Sequence, residues 1–275
     1  TSGVTRVSVN VTGVSGPNTD GITVVEMTNN ATTHDGDFVL DGGALNAGFF
    51  AWDIRRDGAT QELFTAGVGA GAYEFAAGIT GAQDIWYQTT GTLLQRQADL
   101  RPLLLGTQVT PVADYTEPVA PTPAGQVGPG FWFKGLGAYL ERDQGDGVAI
   151  TDRKQTIYGA LGGFDFAAEG TGDAWLFGLF GGYVGSKLKF NETDTEWSYD
   201  GPTLGAYATY LNEALYVDLV VKADFLNIDI DPDDVAPDAD NEDTDAFNLG
   251  GLIDAGYKFG SGEGVFVEPQ AALAV

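Results

Sequence analysis

The segment Leu215–Phe225 (LYVDLVVKADF) alternates along its whole length: Leu215, Val217, Leu219, Val221, Ala223 and Phe225 interleave with Tyr216, Asp218, Lys222 and Asp224. At period two the first set shares one face of a strand and the charged set the other, whereas a helix would spread those charges around its circumference. The preceding GPTLGAYATYLN (Gly201–Asn212) reads as its hairpin partner across a tight turn. Two architectures use such a wall. A soluble antiparallel sheet buries its apolar face in a core, and a transmembrane barrel turns that face to lipid and its polar face to a watery lumen.

The rest of the chain narrows the choice. Forty glycines and 11 prolines in 275 residues, with 12% aromatics, fit many short strands and turns, an all-β chain. A net charge of −26 opposes binding to nucleic acid or adsorption to an anionic lipid surface. With no cysteine there is no disulfide, thiolate metal site or thiol nucleophile. The longest uncharged apolar run, Ala174–Ser186, is too short and glycine-rich for a membrane-spanning helix, so any membrane role falls to strands.

Residues 1–92 divide into short β-rich pieces, Arg6–Val11, Ile22–Met27, Asp37–Leu40, Gly48–Arg56, Gly71–Ala76 and Asp84–Thr89, with no helical period among them. That ladder predicts a sandwich or the last rungs of a β-solenoid. Leu93, Leu94, Gln97, Leu100 and Arg101 then show helical spacing until Pro102, and prolines accumulate through Pro129, so 93–129 reads as a linker. Beyond it lie seven candidate strands: Phe131–Leu140, Gln155–Phe166, Trp175–Lys187, Thr203–Tyr210, Leu215–Leu226, Phe247–Phe259 and Val265–Val275. Most reach the roughly 9–11 residues a tilted strand needs to cross a bilayer. Short connections (Ala167–Ala174, Leu211–Ala214, Gly260–Gly264) alternate with long polar ones (Glu141–Lys154, Leu188–Pro202, Asn227–Ala246). A barrel with turns on one rim and loops on the other predicts this sorting, and aromatics at the strand ends fit a headgroup belt.

Several phrases resemble one family. GDFVLDGG from Gly36, GAGAYEF at Gly69–Phe75 and QDIWYQT at Gln83–Thr89 resemble the end of a pertactin-like autotransporter passenger. WLFGLFGGYVGS at Trp175–Ser186, GPTLGAYATYLN at Gly201–Asn212, LYVDLVVKADF at Leu215–Phe225 and FVEPQAAL at Phe266–Leu273 resemble successive strands of the autotransporter barrel. The resemblance implies a solenoid passenger end over 1–92, a lumen-threading segment over 93–129, and from residue 130 the first strands of a twelve-stranded barrel that anchors and translocates its own passenger. It also implies a bacterial outer-membrane location with the passenger at the cell surface, for adhesion or display. The implied partners are outer-membrane lipid, the barrel-assembly machinery and the passenger itself. Thr1 begins no signal peptide, and seven strands end at Val275 without a terminal aromatic, so the expectation is a sequence that continues at both ends. A soluble sandwich adhesin or carbohydrate-binding module, and a porin-like open channel, are the competing readings.

Candidate chemistry is sparse, and the chain reads as non-enzymatic. Asp218, Lys222, Asp224, Asp254 and Glu268 fall on the polar faces of their strands, where they either meet lumen water or grip a threaded segment. The run from Asp229 to Asp245 contains Asp231, Asp233, Asp234, Asp238 and Asp240, hard oxygen ligands of the kind Ca²⁺ takes. It lacks the turn glycine and closing glutamate of an EF-hand loop, and a solvated acidic loop accounts for it better. No other cofactor is expected. His34 is the single histidine, and Ser15 in Gly13–Gly16 lacks the spacing of a nucleophile elbow, so a solvated turn describes it better than a triad. Gly67–Gly71 reads as turn backbone, in the absence of the strand–turn–helix frame that a phosphate loop needs.

Overall fold

The computed structural model describes residues 3–10, 16–29, 31–104, 130–143, 151–169, 173–191, 193, 195–212, 214–231, 242–259 and 267–275. Its centre is one antiparallel sheet of seven strands: β7 (Gly130–Arg142), β8 (Arg153–Glu169), β9 (Asp173–Phe190), β10 (Glu196–Asn212), β11 (Leu215–Asp231), β12 (Glu242–Tyr257) and β13 (Gln270–Ala274). Every strand pairs with its sequence neighbour, and β7 and β13 are the two edges. Each overlaps one of the seven candidate strands, although β10 begins well before Thr203 and β13 is confined to Gln270–Ala274.

The faces settle what the alternation is for. On β11 the inward side chains Tyr216, Asp218, Val220, Lys222 and Asp224 are buried while Leu219, Val221 and Phe225 are exposed. Neighbouring strands repeat the pattern, exposing Phe131, Phe133, Tyr158, Phe177, Leu179, Leu204, Phe247, Leu249 and Ile253. A water-soluble sheet buries such a band; this one presents it outward, which is what lipid requires. The sandwich reading is thereby corrected. No helix among the described residues is long and apolar enough to cross a membrane. Val221, 58% exposed at mid-strand, gives a direct check: Val221→Arg is expected to cost about 2–4 kcal/mol when the protein is refolded into lipid vesicles and titrated with guanidinium.

Three expectations fail, each for a physical reason. Gly71–Ala76 and Asp84–Thr89 are not strands but parts of one 35-residue helix, α1 (Ala70–Leu104). Their aromatics and glycines look β-like only when the environment is ignored. The helical spacing noted from Leu93 therefore belongs to a helix that already starts at Ala70, and Pro102 sits in its last turn. The predicted loop Leu188–Pro202 is mostly ladder, with Leu188 opposite Trp197 and Ser186 opposite Tyr199. There the alternation inverts. Leu188, Phe190, Trp197 and Tyr199 are buried inward, while Lys187 and Lys189 face out, as in strands that rise above the lipid.

The amino-terminal part holds β1 (Thr5–Val7), paired in parallel with β3 (Phe38–Leu40), and a four-stranded antiparallel sheet. That sheet contains β2 (Ile22–Glu26), β4 (Leu45–Ala47), β5 (Phe50–Asp57) and β6 (Thr60–Val68). Leu40, Ala47, Trp52 and Leu63 form its small core. The solenoid end expected over 1–92 is not seen in these described residues. β6 leads through Gly69 directly into α1, so the strand–turn–helix frame judged missing around Gly67–Gly71 is present. Its helix start is already occupied: the Ala70 amide donates to Asn46 Oδ1 (3.2 Å) and the Gly71 amide to the Gly48 carbonyl (3.1 Å). These contacts fill the place a phosphate would take.

Candidate functional site: a helix held on the inner wall

α1 lies against the inner face of the sheet, running from the rim of long loops at its start toward the rim of short turns at its end. Along one side it presents small or apolar residues at helical spacing, Ala77, Ala82, Ile85 and Leu93, and these join two cores with the wall. The upper core adds Ile157, Val184, Leu188, Phe190, Trp197 and Tyr199; the lower adds Leu161, Leu176, Phe180, Leu211 and Tyr216.

Glycines set how closely helix and wall approach. A Cβ on Gly78 would lie 2.3 Å from Trp197 Cζ3, and one on Gly81 would lie 2.7 Å from Leu188 Cδ1. The backbone freed by this contact is used: Tyr199 donates its hydroxyl to the Gly78 carbonyl (2.8 Å), and Gln155 Nε2 donates to the Gly81 carbonyl (2.9 Å). Gly78→Val is expected to destabilise the folded protein by about 1–3 kcal/mol through overpacking, read as a lower guanidinium midpoint. An unchanged midpoint would show that the indole of Trp197 moves aside freely.

Polar ties run the length of the helix. Near its start Glu74 accepts from the Thr193 hydroxyl, and Asp84 and Thr80 accept from Arg142 and Arg153. At mid-height Lys222 donates to Thr89 Oγ1 (2.6 Å) and to both oxygens of Asp224 (2.6 and 2.8 Å), while Trp86 Nε1 donates to the Lys222 carbonyl (3.4 Å). Near its end Arg96 pairs with Asp165 and donates to Tyr207 (3.2 Å), with its guanidinium 4.5 Å from the centre of the Trp132 ring. Arg101 pairs with Asp218, reaches Asp254 at 3.6 Å and lies over the Tyr216 ring at 3.3 Å. The arrangement holds one helix in one place by packing, backbone capture and ion pairs together.

Of the five polar-face residues singled out in the sequence, the structure brings Asp218 and Asp254 to Arg101, and Lys222 with Asp224 to Thr89. Glu268 is half-buried just before β13 and makes no ion pair among those found in the described residues. Asp231 ends β11 in an exposed position, and Asp233, Asp234, Asp238 and Asp240 lie outside the described residues. His34 sits in an exposed turn, its Nδ1 3.5 Å from Asp37. Ser15 lies outside the described residues. Sequence reasoning missed Thr89, Arg96 and, as a charged anchor, Arg101, along with Asp165, Tyr207 and the rim pair Arg142 and Arg153. The signal for the helix was the recurrence of small or apolar residues every three to four positions from Ala77 to Leu93. With α1 packed on the inner face, the open-channel reading is also corrected.

The family model described as the autotransporter beta-domain matches residues 131–275. The pertactin autotransporter of Bordetella bronchiseptica is 28% identical over 218 residues, 79% of this chain and 21% of that relative, so the match spans about a fifth of the relative's length. Its counterpart in Bordetella parapertussis is also 28% identical over 218 residues. The crystal structure of the beta domain of the Bordetella autotransporter BrkA aligns with a TM-score of 0.41 and 20% identity, covering 54% of this chain and 56% of that one. The match of a family model to more than half of the sequence, on a sheet whose outer face is apolar, makes the chain a member of the autotransporter family of outer-membrane proteins, with residues 131–275 in its beta-domain.

Proposed function

We propose that this chain is the anchoring and threading end of an autotransporter: β7 to β13 form outer-membrane wall, α1 occupies the lumen, and the residues before Ala70 stand at the cell surface as the end of a passenger. One observation carries the reading. A helix continuous with the amino-terminal sheet lies along the partly polar inner face of a wall whose outer face is apolar. A translocator left holding the last segment it passed has this form. Adhesion or display is the proposed task of the passenger, and no catalytic step or cofactor is assigned; the beta-domain match supports a non-enzymatic role. The acidic run around Asp231–Asp240 is proposed as a solvated surface loop rather than a Ca²⁺ site.

The barrel-assembly machinery is the proposed partner for insertion. A strand at the edge of an unfinished sheet carries a row of backbone donors and acceptors that lipid leaves unpaired, at several kcal/mol per group, so insertion needs a protein that covers it. The test uses the full protein in cells, with an epitope inserted in the turn between Asp57 and Thr60 that joins β5 and β6. Labelling of intact cells, with the protein retained in outer membranes washed in carbonate and then urea, is the expected result. An epitope reached only after permeabilisation, or release of the protein by the washes, would overturn the reading.

A further inference from the structure

The ion pairs between α1 and the wall are sorted by height. At the rim of long loops the helix carries the acids, Asp84 paired with Arg142 and Glu74 accepting from Thr193, and the wall the bases, Arg142 and Arg153, the latter donating to Thr80. At the rim of short turns the helix carries the bases, Arg96 and Arg101, and the wall the acids, Asp165, Asp218 and Asp254. Between them the wall pairs its own Lys222 with Asp224 and offers the helix only the neutral Thr89. Among the described residues, Lys134 on the edge strand β7, which donates to Gln95 of the helix, and Asp99 on the bare side of the helix stand outside the order.

We propose that this opposed charge order fixes the depth and the direction at which the threaded segment comes to rest in the wall. The inference rests on the threading role proposed above and adds the residues that stop it. A slide of one helical turn, about 5.4 Å, would separate Arg96 from Asp165 and Arg101 from Asp218, and leave buried carboxylates unpaired. Asp218 is fully buried and Asp165 is 4% exposed, so water does not replace the lost partner. A helix inserted the other way would bring Glu74 and Asp84 among Asp165, Asp218 and Asp254, and both arginines toward Arg142 and Arg153. Like charges meet at both ends in that orientation, so the wrong direction is opposed as well as the right one favoured. The apolar contacts specify depth less sharply, because small residues recur at Ala77, Gly78, Gly81 and Ala82, one turn apart.

The absence of cysteine makes the depth measurable. Gln95 Oε1 accepts from Lys134 Nζ at 3.1 Å on the accessible side of the helix, so Gln95→Cys with Lys134→Cys reports the native depth through a short bifunctional thiol reagent. Gly91→Cys or Asp99→Cys with Lys134→Cys reports a helix one turn lower or higher. In the full protein in outer membranes, Arg96→Asp and Asp165→Arg are each expected to lower the native cross-link about tenfold and raise a displaced one. The swap Arg96→Asp with Asp165→Arg is expected to restore the native cross-link. Heat-modifiable mobility in detergent gels establishes that each barrel has folded. Should the single reversals not fold, Arg96→Gln gives the same reading on a milder change, and a cross-link that stays at native yield overturns the proposal. So do folded single reversals with the native pattern, or a folded swap that fails to restore it. Failure of the threading role itself looks different: the native cysteine pair would not cross-link in the otherwise unaltered protein.

Discussion

Asp224→Ala is expected to lower stability by about 3–5 kcal/mol, because it strands a buried charge. Lys222 is 1% exposed, and its ammonium has three short contacts: two to Asp224 and one, at 2.6 Å, to the Thr89 hydroxyl. Without the carboxylate, one neutral acceptor and the Trp86 ring 5.5 Å away remain to hold a full positive charge. Guanidinium unfolding of the refolded protein in detergent micelles, followed by tryptophan fluorescence, measures the loss. The paired change Lys222→Met with Asp224→Leu removes both charges and is expected to recover most of it, since a buried ion pair exchanged for apolar side chains is often near neutral. A single variant within about 1 kcal/mol of the original would mean that the ammonium finds water.

Arg101→Ala is expected to be of similar size, about 3–5 kcal/mol, and to act at the end of the helix. Asp218 and Asp254 stand directly opposite each other on β11 and β12, and the guanidinium is what reconciles them. Removing it leaves two like charges as cross-strand neighbours, which is unfavourable in itself. It also uncovers the Tyr216 ring, over which the guanidinium sits at 3.3 Å. The helix end should then loosen, giving faster amide exchange over residues 93–101 and more frequent conducting events in a planar bilayer. Asp218→Asn with Asp254→Asn in the Arg101→Ala background is expected to return part of the stability without re-seating the helix. If the double asparagine change returned nothing, carboxylate repulsion would not be the source of the loss.

The wall was legible because a period of two survives any change of surroundings. Most of the strands follow from it, though Trp175–Gly185 in β9 is apolar on both faces, and so does the inward set Asp218, Lys222, Asp224 and Asp254 on β11 and β12. Alternation says which residues share a face and nothing about which face is wet. That is why Lys189 and Asp200 read as a loop: above the lipid the polar side turns outward, and the same ladder continues with Trp197 and Tyr199 inside. The helix was hidden for a related reason. A helix in water keeps one apolar stripe and one charged face, whereas α1 meets a wall that is itself partly polar, so its contact side mixes Ile85 and Leu93 with Thr89, Gln97 and Arg96. Its glycines and aromatics, Gly78, Gly81, Trp86 and Tyr87, weaken the helical signal and raise the β signal. Only the partners across the lumen explain them, and partners distant in sequence leave no local period.

The ties of α1 also decide how the molecule answers a tug. Anything that grips the residues ahead of Ala70 pulls on a single stiff rod, and that rod is fastened at Gly78, Gly81, Thr89, Arg96 and Arg101, at successive depths. Drag along the rod loads these fastenings side by side, in shear, so none gives way before the others carry strain. The load then spreads into the backbone ladders of β8, β10 and β11, which hold Asp165, Gln155, Tyr199, Asp218 and Lys222. A segment seated this way resists a pull with the tensile strength of several strands rather than of one thread.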